Sequence, residues 1–116
     1  MRGIPSATAT HRLLSAAAST NATLVKGTPG AVHRVQGFNN KASAVFLKLY
    51  DKATAPTVGT DVPRKTIRLA ATANFDFELH DSYANGIGFA LTTAAADADT
   101  GALVAADIQC LNIDYR

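Results

Sequence analysis

Wherever this chain shows a pattern, apolar and polar residues alternate with a period of two. The clearest block begins at Ala44. Val45, Leu47 and Leu49 fall on one face, and Phe46, Lys48 and Tyr50 on the other. A segment holding Pro56, Gly59 and Pro63 follows. Lys65-Thr66-Ile67-Arg68-Leu69 then alternates again, with Ile67 and Leu69 inward and Thr66 and Arg68 outward. Successive side chains of a strand point to opposite faces, so the block predicts strand, structured loop, strand.

The same reading extends along the chain. Residues 22–26 predict a short strand closed by the turn Gly27-Thr28-Pro29-Gly30. Residues 31–38 predict another, in which Val32 and Val35 fall on opposite parity and Gly37 interrupts; a bulge reconciles them. Asn39-Asn40-Lys41 turns into a strand over 43–50, and 65–70 form the next. Phe75-Asp76-Phe77-Glu78-Leu79 places its acids outward and its three large residues inward. The run from His80 to Gly86 reads as a turn with an Asn-Gly signal. Residues 87–92 predict a strand whose outward face carries Gly88 and Ala90, small enough to admit another backbone or subunit. A small-residue loop over 94–106, with a helical turn after Thr100, leads to a last strand over 109–115. There Leu111, Ile113 and Tyr115 share a face opposite Cys110.

Residues 1–21 are rich in Ser, Thr and Ala, with His11-Arg12-Leu13-Leu14 as their only anchor. They read as an extended arm that orders by docking. The sum is seven strands, or eight with part of the arm, and no segment with a helical period. The expected class is all-β: one antiparallel β-sandwich, jelly-roll-like, over 22–116 behind an N-terminal arm over 1–21.

Composition changes this picture little. A length of 116 residues fits one domain, and 47% hydrophobic with 17% charged residues argues against disorder throughout. Much of the apolar share is alanine and there is no Trp, so the core is expected to rest on Phe38, Phe46, Phe75, Phe77, Phe89 and the Leu/Ile/Val set. So light a core in a β-domain leans on neighbouring subunits. A net charge of +2, with scattered basic residues, gives no case for nucleic acid. Cys110 is the only cysteine, so an intrachain disulfide is excluded, and it reads as a structural thiol. No run resembles a signal peptide or a membrane span, so synthesis in the cytosol and no membrane partner are expected.

Three constellations could carry chemistry. Asp97-Ala98-Asp99-Thr100-Gly101, with Asp107 beyond it, has carboxylates two apart but lacks the remaining oxygen ligands of a Ca²⁺ loop, so turn capping is expected. His80-Asp81 are neighbours that a strand would turn to opposite faces, and no nucleophile stands near them in sequence. Thr28-Pro29-Gly30 lacks the glycine spacing and the Lys-Ser/Thr of a phosphate loop. His11 and His33 lie too far apart in sequence to mark a metal site. No catalytic residue, metal ligand or cofactor is expected, and the chain is not read as an enzyme.

Four segments look familiar. They are Ser19-Thr20-Asn21-Ala22-Thr23-Leu24-Val25-Lys26; Leu47-Lys48-Leu49-Tyr50-Asp51-Lys52-Ala53-Thr54-Ala55-Pro56-Thr57-Val58-Gly59-Thr60-Asp61-Val62-Pro63; Ile87-Gly88-Phe89-Ala90-Leu91-Thr92-Thr93 with Ala95-Ala96-Asp97-Ala98-Asp99-Thr100; and Leu111-Asn112-Ile113-Asp114-Tyr115. Together they resemble small β-rich virion proteins of tailed bacteriophages and prophages. Within that group, the size and β-rich pattern are similar to head decoration, or cement, proteins. The resemblance implies a capsid-surface protein made in the host bacterial cytoplasm, binding the outer face of the major capsid protein and assembling with itself, as a trimer for example. Tail, connector or fibre-associated proteins and carbohydrate-binding sandwiches are the alternatives. The candidate capsid or subunit contacts are His11, Arg12, Leu13 and Leu14 in the arm, Pro56, Val58, Val62, Pro63 and Arg64 in the stiff loop, and Gly88 and Ala90 on the small-residue face.

Overall fold

The computed structural model of the chain describes residues 8–116, so the first seven residues of the expected arm lie outside the described residues. All regular structure among the described residues is strand: β1 (Ala9–Ser15), β2 (Thr23–Lys26), β3 (Gly30–Asn39), β4 (Val45–Tyr50), β5 (Lys65–Leu69), β6 (Ala73–Tyr83), β7 (Ile87–Thr92) and β8 (Ile108–Tyr115). They form two antiparallel sheets of four, ordered β1-β8-β3-β6 and β2-β7-β4-β5. β1 pairs with β8, β2 with β7, β3 with β6 and β4 with β5. The chain is thus one long folded-back ribbon whose outermost pair is β1·β8 and whose innermost is β4·β5. Cross-pairs β3·β8 and β4·β7 close each sheet.

The core lies between the sheets. Val32, Val35, Leu111 and Ile113 face it from the first sheet, and Val45, Leu47, Leu49, Ile87, Phe89 and Leu91 from the second. Within β4, β7 and β8, period-two parity put these residues on one face, and the fold buries that face. The parity conflict in β3 is resolved by a register shift between Val32 and Arg34, which lets both valines reach the core. Among the phenylalanines, Phe89 and Phe75 are buried, while Phe38, Phe46 and Phe77 are half-buried.

Three expectations change. The arm docks within the chain itself: β1 pairs with β8 from Ala9↔Tyr115 to Ser15↔Gln109, and Ala16 is buried in the core. The sheet therefore begins at Ala9 rather than 22, because β8 would otherwise leave a row of backbone groups unpaired. Second, β6 continues through His80, Asp81, Ser82 and Tyr83, and the turn is confined to 84–86. A bulge at His80, with φ of 52°, carries the strand past the break in alternation. Third, the Gly88/Ala90 face of β7 is not open. Both residues are buried, and a Cβ at Gly88 would lie 3.0 Å from Pro56 Cδ. The glycine is approached by the chain's own loop rather than by a second subunit.

One flank is pinned by a single amide. Asn39, fully buried at the end of β3, donates from Nδ2 to the carbonyls of Ser43, Leu69 and Ala70, each at 3.1 Å, and its Oδ1 accepts from the Lys41 amide at 2.9 Å. It ties the first sheet to the β5–β6 crossover. Asn39→Ala leaves the buried Leu69 carbonyl and three part-buried backbone groups without this partner and is expected to cost about 2–3 kcal/mol. A urea midpoint that does not move would show that the flank holds without it.

Candidate functional site

The two outer faces of the sandwich differ in kind. On the second sheet most outward residues of β4 and β7 are themselves buried: Lys48, Tyr50, Ala90 and Thr92 are at most 1% exposed, and Phe46 is half-buried. The loops 51–64 and 94–101 cover them. These loops touch where Gly59, at φ of 90°, lies so close to Thr100 that a Cβ there would meet its Cγ2 at 2.7 Å.

Lys48 anchors the second of these loops from below. Its Nζ donates to the Ala96 carbonyl at 2.6 Å and to that of Asp99 at 3.4 Å. The Asp99 carboxylate accepts from the amides of Ala94 at 3.2 Å and Gly101 at 3.0 Å, which is the turn capping expected of this loop. An ammonium thus sits where the loop carbonyls converge. Among the described residues, no group of three His, Cys, Asp or Glu is placed to hold a metal ion.

Two aspartates organise the other loop. Asp61 accepts from Lys52 Nζ at 2.5 Å and from the Thr57 amide at 2.7 Å. Asp51 accepts from the amides of Ala84, Asn85 and Gly86, holding the β6–β7 turn. For Asp61 the Lys52 bond leads in holding the carboxyl below its ordinary pKa. For Asp51 desolvation opposes, and the amides together outweigh it. The guanidinium of Arg64 lies 5.2 Å from the centroid of the Tyr83 ring, whose phenol is pushed well up by burial.

The outer face of the first sheet is open and polar. Arg34 grips Asp76 through two bonds, from Nε at 2.8 Å and Nη2 at 2.6 Å, and Thr10 donates to Asp114 at 2.8 Å. At one end a shallow groove of about 320 Å³ is lined by His33, Arg34, Glu78, His80, Asp114 and Arg116. The His33 and His80 rings meet edge-on at 6.0 Å, and His80 Nε2 stands 3.9 Å from Glu78 Oε2. Asp81 turns away from His80, as strand geometry requires, and pairs with Lys65 of β5 at 2.7 Å. Cys110, at φ of 55°, is exposed on this face.

The eleven sequence-expected contacts do not form one site. Arg12, Leu14, Val62 and Arg64 are exposed; His11, Leu13, Val58 and Pro63 are half-buried; Pro56, Gly88 and Ala90 are buried within the chain. Arg12 and Leu14 lie on β1 at an edge of the first sheet, whereas Val62 and Arg64 precede β5 at an edge of the second. His11 points inward, its ring 5.6 Å from Phe89. Sequence reasoning missed Lys48, although a lone lysine inside Val-Phe-Leu-Lys-Leu-Tyr was a visible signal. It also missed the groove, whose residues come from strands far apart in the chain.

No family model matches the chain, and neither does any curated protein or solved structure.

Two outcomes are expected from this geometry. Lys48→Met strips the Ala96 and Asp99 carbonyls of their donor and should lower global stability by about 1–3 kcal/mol. The loop loses a charged donor worth about 1.5–3 kcal/mol, so amide exchange at Asp99 and Thr93 should accelerate at least about tenfold. Unchanged exchange would mean that Lys48 does not hold the loop. Burial lowers the pKa of His11 below 6.5, so the unfolded chain binds a proton more readily than the fold. The contribution of His11 is complete above 6.5 and is lost as pH falls below that value. Melting temperature should drop from pH 7.5 to 5.5, and His11→Gln should flatten that part of the profile.

Proposed function

We propose that this chain is a structural virion protein of a tailed phage that decorates the head, binding the outer face of the major capsid protein and stabilising the shell. The reading of the fold that goes with it is a jelly-roll. Its support is the pairing of β1 with β8, β2 with β7, β3 with β6 and β4 with β5, which is the order that a single ribbon gives when wrapped into two sheets. Eight-stranded jelly-rolls recur in viral capsid and lectin domains. Fold alone does not assign a role, so the role rests on the four-segment resemblance to virion proteins.

The two unlike faces suit such a part. A decoration protein presents one surface to the shell and others to its neighbours. Here the second sheet is sealed by stiff, internally bonded loops that carry exposed Val62 and Arg64, so little entropy is lost when that surface is engaged. The carbohydrate-binding alternative is less well served, because Tyr50 and Tyr83, two of the three tyrosines that could stack on sugar, are buried.

The test is to add purified protein to expanded heads that lack it. Saturable binding is expected, with raised shell melting temperature and density on the outside of the head in a cryo-EM map. Val62→Asp, at an exposed position, should weaken that binding at least about tenfold while leaving the fold intact. Density confined to the tail or neck of the native particle, or no binding to heads, would overturn the decoration reading.

A further inference from the structure

The four sheet edges are not alike. β2 has only four residues and a register shift between Leu24 and Lys26. β5 has five and carries Lys65 and Arg68. Short, irregular or charged edges are the usual guards against pairing with another chain. The first sheet has longer edges, β1 with seven residues and β6 with eleven, the stretch 73–79 of β6 lying ahead of its bulge at His80, and neither takes a further strand among the described residues.

These two edges are complementary. On the outer face β1 presents Arg12, exposed and in no ion pair among the described residues, beside Leu14, which is 67% exposed. β6 presents Asp76, already held by Arg34, and Glu78, whose side chain is 77% exposed, stands 3.9 Å from His80 and lies in the field of Arg34. On the inner face, Leu13 of β1 and Phe77 and Leu79 of β6 are only partly covered by the core they pack against. Each edge thus leaves apolar side chains half-open at the margin of the sandwich.

Geometry allows the match. All neighbours in the first sheet are antiparallel, and four strands make its two edges run in opposite directions. A copy rotated about an axis roughly parallel to the strands brings its β6 antiparallel to β1, with outer face continuing outer face. Placing Arg12 opposite Glu78 then sets Leu13 opposite Phe77 and His11 opposite Leu79, because parity is conserved across an antiparallel pair. Self-pairing is disfavoured: β1 centred on its own copy sets Arg12 against Arg12, and β6 centred on Phe77 sets Asp76 against Glu78.

We infer that copies of this chain join head-to-tail through the β1 edge of one and the β6 edge of the next, extending the first sheet from subunit to subunit with Arg12 paired to Glu78 of the neighbour. Contacts of this kind close into rings when the rotation permits. The inference deepens the proposed function by naming the second copy as partner, and rests on that reading only for the expectation that copies assemble. Its test needs no shell, so the two can fail separately.

The experiment is light scattering and sedimentation of the full chain near neutral pH, with circular dichroism to confirm the fold of every variant. The parent protein is expected as a defined multiple of 12.1 kDa. Arg12→Glu and Glu78→Arg should each weaken association at least about tenfold and shift the mass toward one chain, since each sets like charges opposite one another. The double variant should recover assembly, and an equimolar mixture of the two single variants should assemble where neither does alone. A parent that stays at 12.1 kDa at high concentration, or an oligomer indifferent to Glu78→Arg, would overturn the inference.

Discussion

The second sheet is covered on both faces at its centre, and most of the molecule follows from that. Its two central strands, β4 and β7, have residues of both parities inside. One set faces the first sheet; the other needs a cover, and the loops supply it. The loops 51–64 and 94–101 must therefore lie flat on the sheet, which demands small residues beneath them and internal bonds within them. Gly88 and Ala90 meet the first demand, with Pro56 seated against the glycine. Asp61 and Asp99, each accepting backbone amides, meet the second.

Lys48 shows how tightly the arrangement is drawn. A buried ammonium is tolerated only with partners in place, and those partners are carbonyls that an Ala-rich loop would otherwise leave unmatched. Strand and loop each supply what the other lacks. The same loop apices carry the exposed side chains of that side, so the rigidity that satisfies the sheet also fixes whatever surface the loops present. The first sheet needs no such cover. Its outer face is hydrogen-bonded and charged, with Arg34–Asp76 and Thr10–Asp114 spanning neighbouring strands.

What could be read from the sequence was local. Parity placed Val45, Leu47, Leu49, Ile67 and Leu69 inward, and the clash between Val32 and Val35 located a bulge. What could not be read depends on partners distant in the chain. β1 is ordered by β8, roughly a hundred positions on, and nothing within residues 9–15 announces a strand that would find it; Thr10 and Asp114 are 104 apart. The outward face of β7 looked open because its cover comes from loops elsewhere. His80–Tyr83 looked like a turn because a bulge disguises continued pairing as a break in alternation. The candidate surface was the least legible part. Exposure is a property of the assembled fold, and it divided the eleven expected contacts among three different environments.

The ribbon pairing also decides where the fold ends and association begins. Wrapping pairs the first and last strands among the described residues with each other and leaves one sheet with edges β1 and β6, the other with β2 and β5. The crossover from β5 to β6 is short, and Lys65–Asp81 joins the ends of the two strands away from it, so the flank that they form is closed between the sheets but open along β6. The opposite flank is closed by the bonds of residues 16–21 and open along β1. A light core cannot bury everything at its margins, and Leu13, Phe77 and Leu79 remain half-covered at these two openings. The unsatisfied apolar surface and the unmatched backbone of the first sheet therefore fall at the same two places, carrying opposite charge.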